Sequence, residues 1–154
     1  MLRYGVVAAV LVCAGTLLAG QHHASAQERV QHTCGLTDRE FLDDYQVQIT
    51  YVKMAGDDYL SGTEKAADVI SAARDAAATV RRGRPLDPSL RLVQKYARTM
   101  FLQYAVAIDA RAAGGSAARE MYLASMIGSR LDDVLRAAKP GLAAKGCDVA
   151  DVLE

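Results

Sequence analysis

Apolar side chains recur every three or four residues through most of this chain, and that period commits it to packed helices. Leu90, Val93, Ala97, Phe101, Tyr104 and Ile108 fall on one face, as do Met121, Ala124, Gly128, Leu131, Leu135 and Ala138. A third set, Ala66, Val69, Ile70, Ala73, Ala77 and Val80, carries a stripe of small residues that lets a neighbouring helix approach closely. The three prolines, Pro85, Pro88 and Pro140, sit where the period breaks.

The breaks divide the chain into segments. AGDDYLSGT (55–63), RRGRPLDP (81–88) and AAGGS (112–116) separate the periodic runs, and KPGLAAKGC (139–147) closes the last one. Thr37-Asp-Arg-Glu40 and Ser61-Gly-Thr-Glu64 match the capping box, in which a hydroxyl and a Glu satisfy free backbone N–H groups at a helix start. Asp87-Pro88 places a capping carboxylate ahead of a proline whose missing N–H costs nothing at the first helical position. Ser116 is the expected cap of the fourth helix, with Glu120 in its first turn facing the positive end of the dipole.

One segment is ambiguous by spacing. In YQVQITYV (45–52), Tyr45, Val47, Ile49 and Tyr51 share a face at period two, whereas Phe41, Tyr45, Ile49 and Val52 share one on a helix. A lone strand would leave its backbone groups unpaired, so a helix is expected. The expected fold is all-α: a four-helix up-and-down bundle with a short C-terminal helix near Asp148 to Leu153 and one disulfide.

The first 26 residues read as a signal peptide. A charge at Arg3 precedes an apolar stretch from Gly5 to about Leu18, too short for a comfortable membrane span, and Ala24-Ser25-Ala26 supplies small residues for cleavage. Residues 27–154 then form a single helical domain, placed outside the cytoplasm as a secreted or cell-envelope protein with no transmembrane span. Val12 is too large to precede a lipid-modified Cys13. Cleavage removes Arg3, His22 and His23, leaving 17 basic against 18 acidic residues and the single imidazole of His32. A net charge near −1 offers no case for nucleic acid, which calls for a basic surface.

Cys34 and Cys147 remain as an even pair, and in an oxidising exterior they are expected to form a disulfide. Closing that loop restricts the unfolded chain by about 4 to 5 kcal/mol. No C-x-x-C spacing marks a redox site.

Catalytic machinery is sparse in this composition. With one histidine after cleavage, no Asn, no G-x-S-x-G and no S-x-x-K, a histidine-based hydrolase is not expected. No Glu-x-x-His pair is available for a carboxylate-bridged metal bundle, and His and Cys are too few for zinc. The doublets Asp43-Asp44, Asp57-Asp58 and Asp132-Asp133 read as solvated faces, because adjacent helical residues point about 100° apart. No metal site is therefore expected.

Two groups of side chains are candidate contacts. Arg74, Arg81, Arg82 and Arg84 form a basic patch at a helix end, suited either to the negative pole of that helix or to an anionic ligand. Tyr59, Tyr104 and Tyr122 combine an apolar ring with a polar tip, and a phenolate can ligate haem iron. Met100, Met121 and Met126 accompany them on the same helices.

The segment GDDYL (56–60), in an exported helical chain with a Cys near each end, resembles a Tyr-bearing stretch of small actinobacterial secreted proteins of the haemophore type. That resemblance implies Tyr59 as a ligand to haem. The spacing from Cys34 and the length of the mature chain depart from the family pattern. PLDPSLRLVQKYARTMF (85–101) is similar to a helix start of secreted chorismate mutases, which implies Arg91, Lys95 and Arg98 as contacts to a dicarboxylate. Here Arg39 and Lys53 stand too far apart for that family's paired cations.

The expected function is a helical binding or interaction module without catalytic activity, its partner a protein or a small apolar or anionic ligand. Helix exteriors and the Arg81–Arg84 connection are its expected contact surfaces. A haem or apolar-ligand carrier using tyrosine is the first alternative, and a small enzyme acting on an anionic metabolite is the second.

Overall fold

In the computed structural model, residues 34–150 and 152–153 are described. The signal peptide expected over residues 1–26 and the imidazole of His32 lie outside them. The fold is all-helical: α1 (Leu36–Ser61), α2 (Ala66–Arg82), α3 (Pro88–Ala112) and α4 (Ala118–Ala144). Each helix packs on the next in chain order, α1 on α2, α2 on α3 and α3 on α4, as short connections between antiparallel helices require.

The predicted faces supply the core. Val69, Ala73, Ala77 and Val80 of α2 meet Leu90, Val93, Ala97 and Phe101 of α3, and Leu131 and Leu135 close the layer from α4. The ambiguous segment is helical because Tyr45 finds aromatic neighbours at helical spacing. Its ring stacks on Phe41 at 6.4 Å and tilts against Phe101 at the same distance. Val47 and Tyr51, which a strand would have placed beside Tyr45, are 62% and 56% exposed.

Helix ends depart from the expected caps in three places. α1 starts at Leu36 behind Gly35, two residues earlier than the Thr37 box, and the buried Thr37 Oγ1 has no partner among the described residues. Asp38, inside that box, instead reaches across the molecule and accepts from the amides of Leu86 (2.6 Å) and Asp87 (3.1 Å). The Ser61 and Thr63 hydroxyls both donate to the Asp58 carbonyl at 2.9 Å, so they finish α1 rather than start α2. Gly62, at φ 82°, turns the chain there. At α4 the residue before the helix is Ala117, and Ser116 accepts only a long bond from Ala118 (3.5 Å). The Asp87 cap holds as expected, its side chain accepting from Ser89 at 2.8 Å ahead of Pro88.

The short helix expected near Asp148 to Leu153 is replaced by turns in the described residues there. The Asp148 carboxylate accepts from the Ala150 amide at 2.9 Å, an Asx-type turn that competes with helix formation. α4 itself continues through the exposed Pro140 to Ala144. Gly146, at φ 77°, then lets the Cys147 amide return to the Leu142 carbonyl at 2.9 Å. This left-handed turn delivers Cys147 to Cys34, and the two sulfurs are bonded at 2.09 Å with their Cα atoms 4.5 Å apart.

The disulfide has polar company. Lys145 donates to Asp87, whose backbone amide is held by Asp38. Gln94 donates to the carbonyls of Val80 (2.8 Å) and Gly83 (2.6 Å), bracing the connection between α2 and α3. The start of α1, the start of α3 and the end of α4 are therefore fastened together at one end of the bundle.

Candidate functional site

At the other end α1 and α4 are not fastened. Between them runs an apolar groove of about 410 Å³, floored by α3. Its walls are Ile49, Val52, Gly56 and Leu60 from α1 and Met121, Ala124 and Gly128 from α4, with Met100, Phe101 and Tyr104 beneath. From Ile49 to Leu60 it extends about 16 Å at the helical rise, and its middle lies about 30 Å from the disulfide.

The α4 face read from the sequence as a continuous core stripe divides here. Leu131 and Leu135 are buried in the core, whereas Met121, Ala124 and Gly128 line the groove. Two helix-interior glycines shape it, Gly56 by admitting Tyr104 from the floor and Gly128 by keeping the α4 wall low beside Met100. At Gly56 the place a β-carbon would take is occupied by the Tyr104 hydroxyl, and at Gly128 that place lies 3.4 Å from Met100 Sδ. Glycine inside a helix costs about 1 kcal/mol relative to alanine, and neither position is a turn, so the openness comes at the expense of helix stability.

Polar groups in the groove are few. Tyr104 is half-buried on the floor and makes no hydrogen bond among the described residues; burial raises its phenol above the ordinary 10, and the nearby Asp57 charge and Tyr59 add to the rise. It therefore stays a protonated donor. Lys53 and Asp57 stand on α1 and Ser125 on α4, all exposed. Below the groove, Tyr45 is held neutral by burial and by the charge of Asp132 on α4.

The candidate tyrosines separate in space. Tyr104 lines the groove. Tyr59 lies in the last turn of α1, packs against the core outside the groove lining, and has the Arg111 guanidinium 6.0 Å from its ring centre. Tyr122 is 63% exposed on the outer side of α4. Of the methionines, Met100 and Met121 line the groove, and Met126 does not.

The basic patch is also divided. Arg82 and Arg84 border a polar hollow of about 500 Å³ together with Glu40 and Asp44, so carboxylates share the space with the guanidinium groups. Arg82 donates to Thr79 at 2.9 Å. Arg74 and Arg81 are exposed elsewhere on α2 and do not border that hollow. Arg91, Lys95 and Arg98 share one face of α3 by spacing and are exposed, and none of them lines the groove or the hollow.

Among the described residues no group of three or more metal-ligating side chains converges, and no helix is long and apolar enough to cross a membrane. Sequence reasoning placed Tyr104, Met121, Ala124 and Gly128 on inward faces but missed Gly56 as the residue that admits Tyr104. AGDDYLSGT (55–63) read as a break, whereas α1 runs on to Ser61 and carries Gly56 in register with Val52 and Tyr59. No protein-family model, curated protein or solved structure matches the chain.

Proposed function

We propose that this is an exported helical binding protein that carries a small apolar ligand in the groove between α1 and α4, without catalytic chemistry of its own. The observation behind this reading is that two helices welded at one end by a disulfide leave an apolar, glycine-lined opening at the other. A volume of about 410 Å³ falls in the range of small-molecule sites, and the walls are apolar with few polar groups, as ligand sites are. Tyr104 would orient the ligand by donating a hydrogen bond. In this form the carrier uses Tyr104 rather than Tyr59, and it needs no metal or haem.

Fluorescence titration with the neutral dye N-phenyl-1-naphthylamine tests the reading. The folded protein should enhance the dye's emission saturably. Gly128→Leu, which fills the groove from an exposed helix, should abolish the enhancement while leaving the circular dichroism unchanged. Enhancement that survives Gly128→Leu, or none in the native protein, overturns it.

A further inference from the structure

The mouth of the groove says more about its occupant than the floor does. Lys53 and Asp57 are one helical turn apart on α1, which puts their β-carbons about 5–6 Å from each other. Neither joins an ion pair among the described residues, where the pairs are Arg39–Asp43 and Lys145–Asp87. One charge of each sign thus stands beside an apolar channel, open to a ligand. Tyr104 adds an unbonded hydroxyl on the floor nearby.

The channel is long and apolar. From Ile49 to Leu60 it runs about 16 Å at the helical rise, a length that takes one extended alkyl chain of about a dozen carbons. We infer that the occupant is a single-chain zwitterionic lipid, its alkyl chain along the floor, its phosphate against Lys53 and its quaternary ammonium against Asp57. This rests on the groove being a ligand site.

Charge complementarity selects the head group. A lone carboxylate gains Lys53 but meets the repulsion of Asp57, and a cationic amphiphile meets the reverse. A neutral lipid covers both charges and pairs neither. A phosphocholine head carries both charges in one short unit, within reach of two flexible side chains one helical turn apart, so both are met at once. Tyr104 then donates to an oxygen of the ester that joins chain and head.

Calorimetric titration with lauroyl lysophosphatidylcholine below its micelle concentration, set against laurate, monolaurin and glycerophosphocholine, tests this. The zwitterionic lipid should bind roughly fivefold more tightly than laurate or monolaurin, as two exposed charge pairs allow. Lys53→Gln and Asp57→Asn should each reduce that preference, and glycerophosphocholine, which lacks the chain, should not bind. Equal affinity for the three chain-bearing ligands, or a preference untouched by both substitutions, overturns the head-group inference and leaves the groove reading standing. If none of the three binds, both fall. Glycerophosphocholine binding as tightly as the lipid overturns the inference by removing the chain from recognition.

Discussion

The hydroxyl of Tyr104 on α3 occupies the place where a β-carbon on residue 56 of α1 would lie. Glycine is thus the residue that lets this side chain reach the floor of the groove. Gly56→Ala should gain helix propensity and lose the Tyr104 position, leaving stability within about 1 kcal/mol of the native value. Ligand or dye affinity should fall nonetheless. Chemical denaturation beside the dye titration checks both halves, and affinity unchanged in Gly56→Ala would show that Tyr104 is not where ligand recognition occurs.

The Cys34–Cys147 bond spans 113 residues of sequence. Replacing both cysteines by serine should lower stability by about 4 to 5 kcal/mol in the chain-entropy account. Urea denaturation of the native and double-serine proteins measures the difference. Thiol titration in denaturant should find no free sulfhydryl at either position in the oxidised protein.

Asp38 is buried and accepts two amide hydrogen bonds from residues 86 and 87. Asp38→Ala leaves those donors without a partner and should cost about 1 to 3 kcal/mol. Glu40→Ala, an exposed neighbour in the same turn, should change stability by less than about 0.5 kcal/mol. Equal losses in the two variants would contradict a tertiary role for Asp38.

Acid sensitivity follows from Asp87. Burial works to raise its carboxyl, but hydrogen bonds from Lys145 and the Ser89 amide, with the Lys145 charge, outweigh it and hold it below the ordinary 3.8. A depressed carboxyl means that the unfolded chain binds the proton first, so this contribution is complete above about pH 4 and is lost as pH falls through the folded value. The Lys145 ammonium is raised above the ordinary 10.5 by Asp87, and its contribution disappears only as pH rises past that range. Thermal melts should hold level through neutral pH and decline below about pH 4. Lys145→Met should flatten part of that decline, and superimposable acid limbs would refute the coupling.

The helical register of residues 45–52 predicts opposite tolerances for two tyrosines six residues apart. Tyr45→Ala opens the aromatic core around Phe41 and Phe101 and should cost about 3 to 5 kcal/mol. Tyr51→Ala, on the exposed side, should cost less than about 1 kcal/mol. Denaturation midpoints of the two variants give the comparison.

Much of this fold was legible from spacing alone. A period of three to four residues identifies helices because side chains at that interval share a face, and Leu90, Val93, Ala97, Phe101 and Ile108 are buried as that rule requires. The paired cysteines and the Asp87-Pro88 start were legible for similar reasons, since each is a local or compositional signal. The tertiary structure alone decided which stretch of an apolar face is covered. Met121 and Leu135 share one stripe of α4, yet Leu135 meets a neighbouring helix and Met121 borders open space, because coverage depends on how far α1 stands from α4. It also decided the work of Asp38, Ser61 and Thr63, whose hydrogen bonds go to whichever backbone groups the packed chain leaves free. Period specifies which way a side chain points; only the assembled bundle specifies what it meets there.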